Sequence, residues 1–387
     1  MKKIAIIGGG TRACYLALAC KKIDVETHCF STARGSGNAQ KFVDFFYDID
    51  IFDTDGIISM CNRIGVHGVC ATTELTILPT AIIAKELGLP GNPIMVASEI
   101  TNKFLNREKI RCLDSLLSPK YAEVSSLEEL KEIDFNPPFV IKPEALVGGK
   151  RGVIVVNNKS ELDFAFKYAF NNVKQRFNHK LLIEEYISDG IECSVESLSF
   201  NGKHYIVQVT QKDTDEGLHC VELSHHQPAN LSSTMRLLVE KAVTDGLSAI
   251  GLFSGPCHTE IKICNDKIYL IEFNARPGGD AISHPLIELS TGYNYMIGVA
   301  KIALGVFKSQ DVANLLHRYS GIYYVTKQTK YLKDIFNVCD QYEWCYEKHQ
   351  VSEALNELLY NDIENTNYFI YHSDKCNPVE QLLNTLK

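Results

Sequence analysis

The sequence predicts a mixed α/β and α+β protein that opens with a doubly wound α/β domain. Residues 4–7 form a short, fully apolar run, which is typical of a buried parallel strand. Three glycines, a helical pattern and a second predicted strand at 25–30 follow. Much later, residues 259–280 contain two strand patterns separated by Asn265-Asp266, a pair that favours a tight turn. Strand–helix alternation therefore predicts the first domain, and the hairpin predicts an antiparallel sheet further on.

Composition limits the possible functions. The 387 residues leave room for two or three domains, and the hydrophobic fraction of 45% is ordinary for a globular protein. A net charge of -8 argues against a nucleic-acid partner, and no apolar run is long enough to predict a membrane partner. The thirteen cysteines show no CxxC pair or zinc spacing, and no secretory leader is visible. We therefore expect free thiols and a cytoplasmic location.

The first domain is expected to cover residues 1–92. Residues 57–60 and 68–71 are predicted to be later pieces of its sheet or connections, and 76–87 a helix. The sequence Leu-Pro-Gly-Asn-Pro at 89–93 favours a turn and marks the boundary.

The N-terminal glycines do not complete a dinucleotide-binding motif. Arg12 and Ala13 stand where the last glycine of G-x-G-x-x-G is required. Ser31 and Thr32 follow the second strand, where a ribose-binding acid would be needed. A tight strand-to-helix turn is therefore favoured over NAD binding.

A lysine and a glycine loop form a candidate phosphate site, and a pair of basic residues precedes them. Lys103 and Arg107 lie four residues apart, so they share one helix face, although such a pair is usually solvated. Lys142 ends an apolar strand, and a loop containing Gly148 and Gly149 follows. Such a loop between antiparallel strands can offer backbone N–H groups to phosphates, and Lys142 would add a positive charge.

The hairpin at 259–280 carries candidate metal ligands. Pairing about its turn brings Glu260 near Glu272, and alternation points Glu272 and Asn274 to the same side. Carboxylate and amide oxygens of this kind suit Mg²⁺. The alternative is a hairpin with an exposed polar face, but Arg276 and the Gly-Gly-Asp segment directly beyond it favour a site.

Taken in order, these features resemble the ATP-grasp superfamily of carboxylate–amine ligases. The motifs are F-V-I-K-P, the glycine loop, L-I-E-E-Y-I, E-I-K and I-E-F-N-A-R-P-G-G-D, within about residues 98–300. R-P-G-G-D-A-I, together with H-x-x-P-A beginning at His225, is most similar to the L-amino-acid ligase group, whose members form dipeptides. The resemblance implies an ATP-grasp fold of two α+β subdomains, 93–187 and 188–308, then a small C-terminal α+β portion, 309–387.

The resemblance also implies roles for residues at matching positions. The ATP-binding residues would be Lys103, Lys142, Gly148, Gly149, Glu184, Glu185, Ile187 and Glu192. Mg²⁺ or Mn²⁺ would be held by Glu260, Glu272 and Asn274. The catalytic residues would be Arg276, which would stabilise the acyl phosphate and the tetrahedral intermediate, and His225. Substrate contacts would come from Arg276, Gly278, Gly279, Asp280 and His284.

Several residues keep two interpretations. His225 would contact substrate or phosphate, or would be a loop histidine bonded to backbone. Asp280 would bind the ammonium group of an amino acid or cap the next helix, and His284 has similar standing. Lys150 and Arg151 interrupt the usual serine- and glycine-rich loop, so their contact with phosphate stays open.

The expected activity is ATP-dependent formation of a carbon–nitrogen bond. ATP would convert a carboxylate into an acyl phosphate, and an amine would displace the phosphate; both substrates are expected to be amino acids. This chemistry needs no protein nucleophile, so the cysteines receive no catalytic role. The alternatives are a carboxylase or purine-pathway type of enzyme using bicarbonate, and an ATP-binding regulator without catalysis; a dehydrogenase is more distant. A homodimer is left open.

Overall fold

The computed structural model describes residues 1–33, 37–145, 150–173, 180–215 and 217–385. It confirms the predicted fold class, with one parallel sheet and two antiparallel sheets among the described residues. No helix in these ranges combines the length and the apolar character needed to cross a bilayer.

The N-terminal sheet is parallel and is covered on both faces. Its strands are β1 (Lys2–Ile7), β2 (Val25–Ser31), β3 (Phe45–Asp48) and β4 (Gly68–Ala71), in the order β3-β2-β1-β4. Its helices are α1 (Thr11–Lys21), α2 (Thr54–Ile64) and α3 (Glu74–Glu86). Ile4 and Ile6 pack in a core with α1, whereas Ala5 and Ile7 pack in a core with α2 and α3. Alternating side chains of one apolar strand thus build two cores, as a doubly wound sheet requires.

Residues 57–60 belong to α2 and not to a strand. Asp53 caps this helix by accepting a hydrogen bond from Gly56, and Gly65, at φ 72°, ends it in a left-handed conformation. Buried Ile57 and Cys61 are four residues apart, which is the helical period. The capping residues at both ends therefore predict a helix here, whereas the short apolar run alone does not distinguish a helix from a strand.

A small antiparallel sheet follows the first domain. Two short helices lead into it, α4 (Ile94–Glu99) and α5 (Lys103–Ile110). The side chain of Asn102 starts α5 by accepting a hydrogen bond from Leu105 at 2.8 Å. The sheet contains β5 (Tyr121–Val124), β6 (Phe139–Pro143), β7 (Ile154–Val156) and β8 (Leu181–Glu185), ordered β5-β8-β6-β7. Helices α6 (Leu127–Glu132) and α7 (Leu162–Asn171) pack against it. The predicted Gly148 and Gly149 lie outside the described residues.

The large antiparallel sheet has eight strands. They are β9 (Ile191–Phe200), β10 (Lys203–Thr214), β11 (Glu222–Gln227), β12 (Gly255–Cys264), β13 (Lys267–Asn274), β14 (Tyr319–Tyr324), β15 (Cys345–His349) and β16 (Tyr368–Ser373). Their order is β13-β12-β9-β10-β11-β14-β16-β15, so the strands after residue 308 continue the same sheet. The remaining helices are α8 (Ser233–Ala249), α9 (Ile287–Thr291), α10 (Tyr295–Ala303), α11 (Lys333–Val338) and α12 (Pro378–Thr385). Helix α10 packs in one core with β1 and α1, which joins the first domain to the large sheet.

Candidate active site

A cavity of about 450 Å³ lies between the small sheet and the large sheet. Most of the predicted site residues line it: Lys103, Lys142, Glu184, Glu185, Ile187, Glu192, Glu260, Glu272, Asn274, Arg276, Gly279 and Asp280. Gly278, His225 and His284 are not among the described residues that line this cavity. The fold therefore brings together most, but not all, of the positions that the motifs indicated.

The hairpin of β12 and β13 forms one wall. Its turn uses Asn265 and Asp266 at φ 50° and 58°, as the Asn-Asp pair predicted. Glu260 lies opposite Glu272 in the register, and His258 lies opposite Asn274. The predicted convergence of two carboxylates and an amide is therefore present in the backbone pairing.

Buried lysines face this wall. Lys103 donates to Glu272 at 2.8 Å, and Lys142 pairs with Glu184. Fully buried Arg107 donates to the same carboxylate at 2.7 Å, so the pair of basic residues on α5 is not solvated. Burial lowers the pKa of Lys142 although Glu184 opposes this effect. The chain thus holds positive charge in a partly dehydrated site, where it interacts strongly with anions.

The end of β8 offers a less polar surface. Glu185, Tyr186 and Ile187 line the cavity there, together with the side chains of Val140 and Ile271. Glu185 is anchored by its backbone N–H, which donates to the Lys120 carbonyl at 2.8 Å. A flat aromatic ring would find apolar contacts and backbone polar groups along this edge.

Lys150 lies directly after the glycine loop and reaches across the cavity. Its ammonium group is 2.9 Å from Glu192 and 3.9 Å from Glu222. Arg151 also lines the cavity, and its guanidinium group lies over the ring of Tyr360, 4.9 Å from the ring centroid. The carboxylate of Glu192, a predicted ATP-binding residue, is therefore paired with Lys150 in this structure.

Lys212 is a central residue that the sequence did not reveal. Its ammonium group is 2.6 Å from Glu222 and 2.7 Å from Glu260, and its side chain is buried. Burial opposes the charge, but Glu222 and Glu260 raise the pKa of Lys212 well above its usual value. This lysine connects the predicted metal ligand Glu260 to a second carboxylate.

The imidazole ring of His258 is a further contact of the Glu260 carboxylate. Its Nε2 is 3.2 Å from Glu260, and its Nδ1 contacts Glu196. Glu196 also accepts a hydrogen bond from the backbone N–H of Gly278 at 3.2 Å. A Cβ at Gly278 would lie 2.9 Å from both Glu196 and His258, so glycine is required at this close approach.

Arg276 is held by a residue of the first domain. Glu74 accepts from its Nε at 2.8 Å and from its Nη2, while Nη1 donates to the Pro277 carbonyl at 3.0 Å. Burial disfavours the charge of Glu74, but Arg276 and Arg12 lower its pKa to about 2. The predicted catalytic guanidinium is therefore fixed by a carboxylate from the first turn of α3.

The two predicted histidines lie away from the cavity lining. His225 is on β11, fully buried, and not in a loop. The ring of His284 packs against that of Tyr15 at 4.6 Å in a tilted arrangement, beside a separate cavity of about 160 Å³ that Gly278 also lines. Its ring is 3.6 Å from Glu288.

The cysteines show no nucleophile arrangement in the described chain. All thirteen are free thiols, and most are buried. Cys220 lines the cavity, but burial raises the pKa of its thiol. A thiol that resists ionisation does not suit nucleophilic catalysis.

The fold is the one that ATP-grasp proteins share. Residues 135–284 match the family model described as an ATP-grasp domain. The solved structures of an L-amino acid ligase from Bacillus licheniformis (TM-score 0.79, 23% identity, covering 100% of this chain and 97% of that one) and of N5-carboxyaminoimidazole ribonucleotide synthetase with ADP (TM-score 0.77, 16% identity, 100% and 96%) share the fold.

Curated relatives include members of two kinds. The carbamoyl phosphate synthase large chain of Thermotoga neapolitana is 26% identical over 225 residues, which are 56% of this chain and 18% of that protein. The formate-dependent phosphoribosylglycinamide formyltransferase of Prochlorococcus marinus is 22% identical over 333 residues, 81% of this chain and 79% of that protein. The chain thus spans about a fifth of the length of the carbamoyl phosphate synthase chains that it matches.

Proposed function

We propose that this protein is an ATP- and Mg²⁺-dependent ligase that joins a carboxylate to an amine and releases ADP and phosphate. One observation carries the proposal: buried Lys103 and Lys142 face Glu260, Glu272 and Asn274 within a single cavity. The similarity to an L-amino acid ligase structure supports amino acids as both substrates. We further place the protein in the reducing cytoplasm, where its free thiols would persist.

The nucleotide is assigned to the end of the cavity formed by the small sheet. Lys103 and Lys142 would neutralise the phosphates, and the strand end with Glu184, Glu185 and Ile187 would bind the adenine ring. Glu192 would accept the ribose hydroxyls after Lys150 releases it. This last step predicts that nucleotide binding moves the side chain of Lys150 away from Glu192.

The donor set fits Mg²⁺ or Mn²⁺. Glu260 and Glu272 face each other in the hairpin, and Asn274 shares the side of Glu272. Glu260 already pairs with the ammonium group of Lys212, and Glu272 already pairs with that of Lys103. When bound, the metal would supply charge neutralisation during phosphoryl transfer. The lysines would then be free to contact phosphate oxygens.

The chemistry proceeds in two displacements. A carboxylate oxygen of the first substrate attacks the γ-phosphorus of ATP, the bond to the bridging oxygen breaks, and ADP leaves. The nitrogen of a neutral amine then attacks the acyl carbon, the carbon–oxygen bond to phosphate breaks, and the nitrogen loses a proton. Arg276, held by Glu74, would stabilise the negative charge that develops on the acyl oxygen.

A screen of ADP release over pairs of amino acids and small carboxylates tests the proposal. We expect turnover only with a carboxylate, an amine, ATP and Mg²⁺ together. Glu272→Gln should lose detectable turnover while its circular dichroism spectrum stays unchanged, whereas Glu128→Gln, an exposed control, should keep full activity. Turnover that needs bicarbonate and no other carboxylate would favour a carboxylase instead. Near-normal activity of Glu272→Gln would contradict the metal assignment.

A further inference from the structure

A buried carboxyl group joins the two segments that carry the predicted phosphate lysines. Glu144 lies directly after β6, two residues beyond Lys142, and is 3% exposed. Its backbone carbonyl accepts a hydrogen bond from the N–H of Lys103 at 3.0 Å, so it contacts the first residue of α5. Both lysines line the cavity of the candidate active site, whereas Glu144 is not among the described residues that line it. An effect of Glu144 on a ligand must therefore pass through the lysines.

The side chain of Glu144 also holds the start of α5. Its Oε1 accepts a hydrogen bond from the amide nitrogen of Asn102, 42 residues earlier in the chain. The amide oxygen of Asn102 accepts from the N–H of Leu105 and so caps the helix. Asn102 and Ala145 also form an isolated antiparallel bridge. One residue at the end of β6 thus fixes both the backbone and the cap of the helix that begins with Lys103.

The second carboxyl oxygen of Glu144, Oε2, lacks a hydrogen-bond donor. This atom is buried, and it has no partner among the described residues. The carboxyl group of Glu123 nevertheless lies within hydrogen-bonding reach of Glu144. Strand pairing explains this approach, because Glu123 and Lys142 both lie opposite Leu182 on β8. Two ionised carboxylates can only accept hydrogen bonds, so a bond between these acids needs a proton on one of them.

The surroundings place that proton on Glu144. The carboxylate of Glu123 is 21% exposed and pairs with the ammonium group of Lys180. Burial is the largest cause that raises the pKa of Glu144, and Glu123 adds to the rise, whereas Asn102 and Lys180 oppose it. Glu129 on α6 is a further acid that acts on Lys180. The more buried of the two carboxyl groups is therefore the one that stays neutral to higher pH.

Resting on the proposed function, we propose that Glu144 is a positioning residue for the ATP-binding lysines and that it acts while it shares a proton with Glu123. In this state its carboxyl group donates to Glu123 and still accepts from Asn102, which keeps the start of α5 against the end of β6. Loss of the proton leaves two negative charges in contact, and their repulsion separates the segments. The ammonium group of Lys103, 2.8 Å from Glu272, moves with the start of α5. ATP affinity therefore falls as the pH rises.

The direction of this pH effect separates it from the ionisation of ATP itself. Glu144 keeps its proton to a higher pH in the folded protein than in the unfolded chain, so the shared proton stabilises the contact in acid and is lost as the pH rises. The nucleotide acts in the opposite direction, because added negative charge strengthens its attraction to lysines. Burial lowers the pKa of Lys142, which would also weaken ATP binding at high pH. A variant that changes only Glu144 keeps both of these effects, so a comparison with wild type cancels them.

The test compares the wild-type chain with Glu144→Gln, in which a neutral amide replaces the carboxyl group at every pH. The amide nitrogen can donate to Glu123 and the amide oxygen can accept from Asn102, so both contacts of the protonated acid remain. Calorimetric titration gives the Kd of ATP with Mg²⁺ from pH 5 to pH 8.5, with no carboxylate or amine substrate present. We expect equal affinities at pH 5. At pH 8.5 the variant should bind about tenfold more tightly than wild type, the effect of one hydrogen bond to a charged group.

Glu123→Gln approaches the same contact from the other side. Its amide nitrogen can donate to an ionised Glu144, so the contact no longer needs a shared proton. The pH dependence of its ATP affinity should therefore match that of Glu144→Gln. Glu128→Gln makes the same replacement at an exposed position of α6 and should match wild type at every pH.

Other results would contradict the inference, and each is distinguishable from the rest. A constant ratio of affinities between wild type and Glu144→Gln across the pH range would refute the role of the shared proton and leave the ligase function intact. A wild-type pH profile in Glu123→Gln would show that Glu123 is not the partner. Failure of the wild-type chain to bind ATP at any pH would remove the proposed function together with this inference.

Discussion

Replacing Glu74 by glutamine tests how the first domain holds Arg276. Glu74 is the carboxylate partner of Arg276, and its pKa falls from 4.5 to about 2 in the folded protein. That fall corresponds to about 3 kcal/mol of coupling between ionisation and folding. Because the folded-state pKa is depressed, this stability is present above pH 4.5 and is lost as the pH falls towards 2.

We therefore expect Glu74→Gln to lower the free energy of unfolding by up to about 3 kcal/mol at pH 7 and by roughly half as much near pH 3. Urea unfolding followed by circular dichroism at several pH values measures this difference. Glu128→Gln, at an exposed position, supplies the matched control. ADP release should also fall in Glu74→Gln, since Arg276 loses the group that orients it.

A pH-independent difference between wild type and Glu74→Gln would refute this reasoning. In that case the variant would act through packing or hydrogen bonding and not through the charge of Glu74. Unchanged stability at pH 7 would equally contradict a strong ion pair with Arg276.

Three further outcomes follow from the structure. His258→Gln removes the ring nitrogen 3.2 Å from Glu260 and should weaken Mg²⁺ binding about tenfold in calorimetric titrations; unchanged affinity would exclude a positioning role. Leu270→Ala, at a fully buried site of the hairpin, should cost ~2–5 kcal/mol in urea unfolding, and a loss below 1 kcal/mol would contradict the packing. Exposed Cys112 should react with maleimide at pH 7.5 well before Cys257, because burial raises the pKa of the Cys257 thiol to about 12; the reverse order by mass spectrometry would contradict the burial.

Local patterns predicted the hairpin well. The predicted position of Glu260 near Glu272 is confirmed, but it depends on a bulge between Glu260 and Ile261, because regular pairing from the turn would put Glu260 opposite Ile271. The relation of Lys103 to Arg107 follows from a period of one helical turn. The burial of Arg107 does not follow from that period, because its carboxylate partner Glu184 lies 77 residues further along the chain.

The supporting residues needed the tertiary structure. Glu74 reaches Arg276 across 202 residues, and no sequence pattern connects the two. Lys212 belongs to no motif, and it reaches the site because β10 continues to Thr214 and places this lysine inside the sheet. His258 is the exception: it lies two residues before Glu260 on the same strand, so alternation alone could have placed both on one side.

The unbroken eight-stranded sheet has a consequence for the last fifth of the chain. Strand β11 pairs on one side with β10, which leads towards the hairpin, and on the other with β14. Removal of residues 309–387 would leave β11 as an unprotected edge with open hydrogen-bonding groups, a template for association between chains. Strand β14 also places Tyr324 beside His225, so the same removal would uncover a histidine that is fully buried in the intact protein.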